Sequence, residues 1–246
     1  MKRIVLYSML LVLLIGSTAY AEVLQINGSS TVMGKIMSKI KVPFEKASGI
    51  ELVLSTNGSL AGAKDLIAGK CAASVSSDNF EDLKKAVPEL AGIADIKVQQ
   101  LGSDNIAVIV NKQNPVSKLT MDQVKGLNTG KVKNWKEVGG ADSDVIVVTS
   151  VKGSGTRQTF NTQAMNGEPY ASDAVEASTT MAELKEVSSM KEAIGAVSES
   201  FVNDTVKKVD APAIGRPLLI LTKGEPSASV KKLIDFILGD GQKYLK

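Results

Sequence analysis

The sequence predicts an α/β fold, and three observations carry that prediction. From Val23 onward, short β-rich runs alternate with amphipathic helical runs. Nearly every junction is marked by Gly, Ser, Asn or Asp. The 246 residues are 43% hydrophobic and 22% charged, an ordinary globular composition with enough chain for a large core. Collagenous, low-complexity and disordered classes are thereby excluded. The length suits either one large α/β domain or two lobes.

The elements follow in order. Val23 to Ile26 is a strand, Thr31 to Lys46 a helix with Pro43 disturbing its end, and Ile50 to Leu54 a second strand. Leu60 to Ala68 is a helix closed by Gly69, Ala72 to Val75 a short strand, and Glu81 to Leu90 a helix. Ile96 to Gln100 and the strongly apolar Ile106 to Val110 are strands. Past Asn114-Pro115 come a helix at Thr120 to Leu127, a turn at Asn128-Thr129-Gly130, and a buried strand at Val145 to Val148. A helix from Arg157 to about Met165 follows, and Glu168 to Ser200 is helical in parts, ending in a strand at Ala193 to Val197. Leu218 to Leu221 is an apolar strand and Ser227 to Leu238 a final amphipathic helix. There is no internal repeat and no long linker, so the expected boundaries are crossover strands near Ile106 to Val110 and Leu218 to Leu221.

Before Val23, Lys2 and Arg3 precede an apolar run from Ile4 to Ile15 and the sequence Ala19-Tyr20-Ala21. This is the pattern of an export signal, residues 1-21, with cleavage before Glu22. The run is shorter than the ~20 residues of a spanning helix. A periplasmic protein is expected. Without Lys2 and Arg3 the chain holds 27 basic against 26 acidic residues. No polybasic patch points to nucleic acid. Zero histidine removes the usual Ser-His-Asp and Cys-His constellations and the commonest zinc ligand. The single cysteine, Cys71, cannot form an intrachain disulfide and reads as an inert core thiol. No metal and no cofactor are expected.

Three clusters stand between a strand and a helix: Gly28-Ser29-Ser30-Thr31, Asn57-Gly58-Ser59-Leu60-Ala61-Gly62 and Gly153-Ser154-Gly155-Thr156. Glycine lets the backbone approach closely, the first amides of a helix are unpaired, and hydroxyls add donors, so each junction can cradle an anion or simply cap its helix. Ser76-Ser77-Asp78 occupies a fourth such junction. An acidic side chain suits an anion that still carries a proton, because the carboxylate accepts that proton and repels an anion without one. Nucleotide motifs fail on spacing, since Gln158 stands where G-x-G-x-x-G needs its third glycine. Glu183, Glu186 and Glu192 with Lys185 and Lys191 read as charged helix faces, and Trp135 as a packing residue.

In this order, those clusters together with Asn134 to Gly140, Ala193 to Val197 and the tail from Arg216-Pro217-Leu218 through Gly241-Gln242-Lys243 resemble the periplasmic phosphate-binding proteins of ABC importers in their compact form. The resemblance implies a two-lobed periplasmic binding protein fold of type II. Each lobe is then a mixed sheet flanked by helices, lobe 1 covering 22-106 with 221-246 returning to it and lobe 2 covering 107-220. It also implies a phosphate or similar tetrahedral oxyanion held between the lobes. Carried over to this chain, Thr31 and Ser59 donate hydroxyls with Ser30 nearby, Val32 offers its amide, Ser154, Gly155 and Thr156 donate from the second lobe, and Asp78 accepts the ligand's proton. The chain departs from the family at Ser150, where the family commonly has an arginine, and at Leu60, where it more often has a small residue. Lys152 or Arg157 is the expected source of the missing charge.

The reading that follows is a monomeric, non-enzymatic solute-binding protein that captures phosphate and delivers it to the membrane permease of an ABC importer. A phosphate sensor or scaffold with a weakened site is the alternative. An exported hydrolase with Ser154 as nucleophile would need Lys152 as base in place of histidine.

Overall fold

The computed structural model describes residues 22–245; the expected export signal lies outside them. In chain order the elements are β1 (Val23–Gly28), α1 (Ser30–Val32), which runs through a π turn at Met33–Met37 into α2 (Ser38–Ser48), β2 (Glu51–Thr56), α3 (Ser59–Ile67), β3 (Ala73–Ser76) and α4 (Phe80–Ala86). The long β4 (Ile96–Asn111) leads to α5 (Met121–Asn128), β5 (Ile146–Ser150), α6 (Gly155–Ala164), β6 (Val175–Ala177), α7 (Thr180–Ser189) and β7 (Ala193–Ser198). The chain closes with β8 (Val206–Lys208), β9 (Ile214–Lys223) and α8 (Ala228–Leu238).

The strands form one mixed sheet in the order β2-β1-β3-β9-β4-β7-β5-β6, with β8 paired to β4. β1 runs parallel to β2 and β3, and β5 parallel to β6 and β7, whereas β4 and β9 are antiparallel to every partner. These two antiparallel strands join the two parallel βα regions. β4 pairs with β9 along Ile96 to Ile106 and with β7 along Ile106 to Val110.

Strand alternation assigns the cores. Leu218 and Ile220 point into a cluster with β1, α2 and α8, whereas Leu219 and Leu221 point into one with α3 and α4. On β4, Ile106, Val108 and Val110 face α5 and α6, whereas Ala107 and Ile109 face α7. Each half of the sheet is thus covered on both faces, and each fully buried aliphatic side chain contributes about 1.5–3 kcal/mol.

Four expectations change. The two runs at Ile96 and Ile106 are one strand, because the polar stretch between them is absorbed by a bulge between Gln100 and Gly102. Pro43 lies inside α2 rather than disturbing its end. The carbonyl it leaves without a partner belongs to exposed Lys39, which water can satisfy, and Gly49 at φ 72° closes the helix instead. The helix expected to Leu90 stops at Ala86, where Pro88 forces a 3-10 turn. The short strands β6 and β8 carry too few residues to show a period in the sequence. Cys71 is buried as expected, with burial pushing its thiol up to about 11. Trp135 is a packing residue whose indole donates to the Glu192 carbonyl at 2.8 Å. Among the described residues no helix is long and apolar enough to cross a membrane.

Candidate functional site

The expected clusters converge where the C-terminal ends of β1, β3 and β5 face one another across the sheet centre. Gly28 turns the chain out of β1 at φ 138°, and a Cβ there would meet the Val75 carbonyl at 2.1 Å. The chain then enters α1 with Ser29 as N-cap, placing the buried Thr31 side chain in the cleft. Ser59 opens α3 and is fully buried, its hydroxyl accepting from the Ser77 amide at 3.3 Å. Gly155 opens α6 from the other side. A Cβ on it would lie 2.5 Å from Ser77 Oγ, 2.7 Å from Ser59 Oγ and 3.0 Å from Asp78 Oδ2. Only glycine lets the two helix starts approach this closely. The amides of Gly155 and Thr156 make no hydrogen bond among the described residues.

At the centre stands Arg216, fully buried on β9 and directly opposite Asp104 in the β4–β9 register. Its Nε and Nη2 donate to Asp104 Oδ2 at 3.0 and 2.9 Å. Nη2 also donates to Thr31 Oγ1 at 3.1 Å, and Nη1 to Thr156 Oγ1 at 2.8 Å and Ser77 Oγ at 3.3 Å. All five guanidinium N–H groups are therefore occupied. Asp104 Oδ1 receives Lys35 at 2.9 Å and Ser198 at 2.8 Å, so this buried carboxylate is saturated too. A hydroxyl that accepts from Arg216 keeps its own proton to donate, and the positive charge behind it strengthens that donation. Thr31 and Thr156 are hydroxyl donors backed by a cation.

Asp78 is fully buried, and neither of its carboxylate oxygens has a hydrogen-bond partner among the described residues. Burial pushes its pKa up to about 6, opposed by the charge of Arg216 and by the hydroxyls of Ser59 and Ser76 close by. Asp78 is thus a buried carboxylate without partners beside charge-backed donors.

The remaining expected residues divide. Ser154 is the half-buried N-cap position of α6 with no side-chain cap bond, and it lines the same cleft. Ser30 lies beside the cluster, its hydroxyl 3.3 Å from Thr180 Oγ1 across the cleft. The Val32 amide is turned to Ser29 Oγ at 3.4 Å, and its side chain is core. Lys152 is exposed at the mouth of the cleft.

Two expectations are overturned. Arg157 does not supply the missing charge, because its Nη1 donates to the Ser150 carbonyl at 2.9 Å and to Glu176 at 2.6 Å while the guanidinium covers the Tyr170 ring. Glu183 is not on a charged helix face. It is buried, accepting from Ser150 Oγ at 2.5 Å and from the Ala196 amide at 3.0 Å, and burial pushes its pKa up to about 7. The Ser150 hydroxyl is thus tied to a carboxylate. Sequence reasoning missed Arg216 and Asp104 as site residues. The available signal was a charge two residues before each apolar crossover run, with Gly215 and Pro217 flanking the arginine.

Two solved structures define the class of fold. A substrate-binding protein assigned to a phosphate ABC transporter of Clostridium perfringens, solved with bound phosphate, superposes with a TM-score of 0.82 at 30% identity, covering 91% of this chain and 96% of that one. An ABC-type phosphate transport receptor from Vibrio cholerae gives a TM-score of 0.71 at 26% identity, covering 90% and 96%. The molecule therefore has the two-lobed architecture of the periplasmic binding proteins. Residues 16–240 match the model of the PBP superfamily domain, and the chain belongs to that family. The phosphate-binding protein PstS of Bacillus subtilis is 28% identical over 230 residues, covering 87% of this chain and 74% of its own length.

Proposed function

We propose that this chain captures orthophosphate between its two lobes and hands it to the permease of an ABC importer. The observation that carries the reading is the buried Arg216, which draws Thr31 from one lobe and Thr156 from the other onto a single cation beside the partnerless carboxylate of Asp78. Hydrogen phosphate supplies what such a site needs: oxygens for the hydroxyls of Thr31, Ser59 and Thr156 and the amides of Gly155 and Thr156, and one proton for Asp78. Ser30 and Ser154 complete the ring. Arg216, rather than Lys152 or Arg157, takes the part of the family arginine absent at Ser150. The division into lobes falls across β4 between Leu101 and Ile106 and across β9 between Ile214 and Leu218, where the core clusters change. Closure about these strands follows from the ligand's contacts to both sides. The names of the relatives in Bacillus subtilis and Clostridium perfringens support phosphate as the ligand. Export with cleavage before Glu22, a monomeric state and the absence of a catalytic role complete the reading.

Calorimetric titration of the mature, ligand-stripped protein with phosphate, then with sulfate, tests it. Phosphate binding with sulfate excluded at neutral pH is the expected result, and Arg216→Met abolishes it. A folded protein that does not bind phosphate would refute the reading.

A further inference from the structure

The cleft holds more space than one oxyanion needs. Its two sides already touch: Ser30 meets Thr180, the Leu60 amide donates to the Gly153 carbonyl at 3.4 Å, and Thr159 Oγ1 donates to the Ser77 carbonyl at 3.5 Å. A cavity of about 420 Å³, with the cradle residues Thr31, Ser59 and Gly155 in its lining, remains in this arrangement. Pockets for small organic molecules begin at about 300 Å³, so this one is sized for an organic ligand. Thr31, Ser59 and Ser77 line it where the phosphoryl group would sit.

The rest of the lining has a definite chemistry. Its twenty residues include two lysines, Lys64 from α3 and Lys152 from the loop after β5, and no acidic residue. Neither ammonium group makes an ion pair or hydrogen bond among the described residues, although many lysines elsewhere on the molecule are paired. Thr180 lines the wall at the start of α7, a ten-residue helix, and the amides of Thr180 and Met181 are likewise without partners. Two unpaired cations, a helix start and no carboxylate make this space attractive to a second negative charge. Leu60, where the family more often has a small residue, stands in the same wall.

We propose that the cleft also admits phosphate monoesters whose short substituent ends in a carboxylate. The phosphoryl group occupies the cradle and the carboxylate reaches the lysine end. The proposal rests on the phosphate reading for the cradle alone. A phosphate monoester loses its last phosphoryl proton near pH 6, so below that pH it still offers Asp78 a partner, while the ester oxygen leaves the cradle through the cavity.

The test uses a matched pair of esters on the mature protein: carboxymethyl phosphate, which carries the carboxylate, and methyl phosphate, which does not. Isothermal titration at pH 5, where both esters keep a phosphoryl proton, with competition against inorganic phosphate, is expected to show carboxymethyl phosphate binding about tenfold or more tightly than methyl phosphate. Lys64→Met is expected to remove most of that preference while leaving inorganic phosphate within about twofold, because an exposed charge outside the cradle contributes little to it. Equal affinity for the two esters, or a preference that Lys64→Met leaves intact, would overturn the proposal. Carboxymethyl phosphate binding in the absence of phosphate binding would sustain the ester site and overturn the orthophosphate reading. Phosphate binding that neither ester competes with would do the reverse.

Discussion

Two buried acidic centres lie close together and behave in opposite ways. Asp104 sits on the crossover strand β4 with both oxygens saturated by Arg216, Lys35 and Ser198. Asp78 sits at the start of the loop after β3, equally buried, with both oxygens empty. Saturation makes the first a fixed anchor for the guanidinium, and its contribution is geometric. Emptiness leaves the second carrying a desolvation cost that a proton-bearing ligand relieves. Glu183 is intermediate, bonded only to neutral donors and therefore shifted upward by its burial. Burial alone does not say what a carboxylate does; its partners do.

The largest expected effect comes from breaking the saturated centre. Asp104→Ala leaves Arg216 buried without its counter-ion and should destabilise the protein by about 3–5 kcal/mol in denaturant unfolding. The double variant Asp104→Leu/Arg216→Met should recover most of that stability and still fail to bind phosphate. A single variant of near wild-type stability would mean that the pair is dispensable.

Glu183 gives the next largest effect, and its sign follows from linkage. The folded pKa of about 7 lies above the ordinary glutamate value of 4.5, so the folded protein holds the proton more firmly than the unfolded chain. Stability from this group is fully present below about pH 4.5 and declines as pH rises toward 7. Glu183→Gln removes the titration and should flatten the stability profile in this window by on the order of 3 kcal/mol. Asp78 adds a decline of the same sign between the ordinary aspartate value of 3.8 and about 6 in the ligand-free protein. An unchanged slope in Glu183→Gln, measured by thermal melts from pH 4 to 8, would place the titration elsewhere.

Asp78 can be sharpened through selectivity. Ionised Asp78 repels sulfate, which has no proton to offer, and protonated Asp78 donates to it. Sulfate should therefore compete better as pH falls below about 6. Asp78→Asn should make that competition independent of pH, with discrimination at pH 8 reduced by about tenfold or more. The Thr156 hydroxyl is a smaller term. Thr156→Val removes one donor to the anion and one acceptor for Arg216, and it should weaken phosphate binding about tenfold where Thr156→Ser does not. The smallest effect belongs to Arg157→Gln, expected to leave phosphate affinity within about twofold because that guanidinium serves Glu176 and Tyr170.

Much of the site was legible in local sequence because anion cradles are built from short-range chemistry. Gly28 through Thr31, Ser59, Asp78 and Gly155-Thr156 each lie at a strand-to-helix junction, and such junctions show in a few residues of composition. Arg216 left little local trace, since its role depends on the strand opposite. Asp104 was hidden further by the bulge at Gln100, which turned an apparent loop into the middle of a strand. Glu183 was misread for a related reason. On α7 it has polar neighbours in sequence, and only the approach of Ser150 and Ala196 from two strands shows that its position is interior.

The amino-acid sequence by itself determined the α/β alternation, the crossover runs, the helix starts with their glycines and hydroxyls, and the one acidic residue among them. Each of these is a property of residues within a turn or two of one another, where backbone conformation and capping act. The tertiary structure decided which cation faces the anion and which carboxylates are saturated or empty. Those outcomes depend on the antiparallel register that sets Arg216 opposite Asp104, 112 positions apart in the chain. Charges are selected by distance in space, and sequence spacing does not encode that distance.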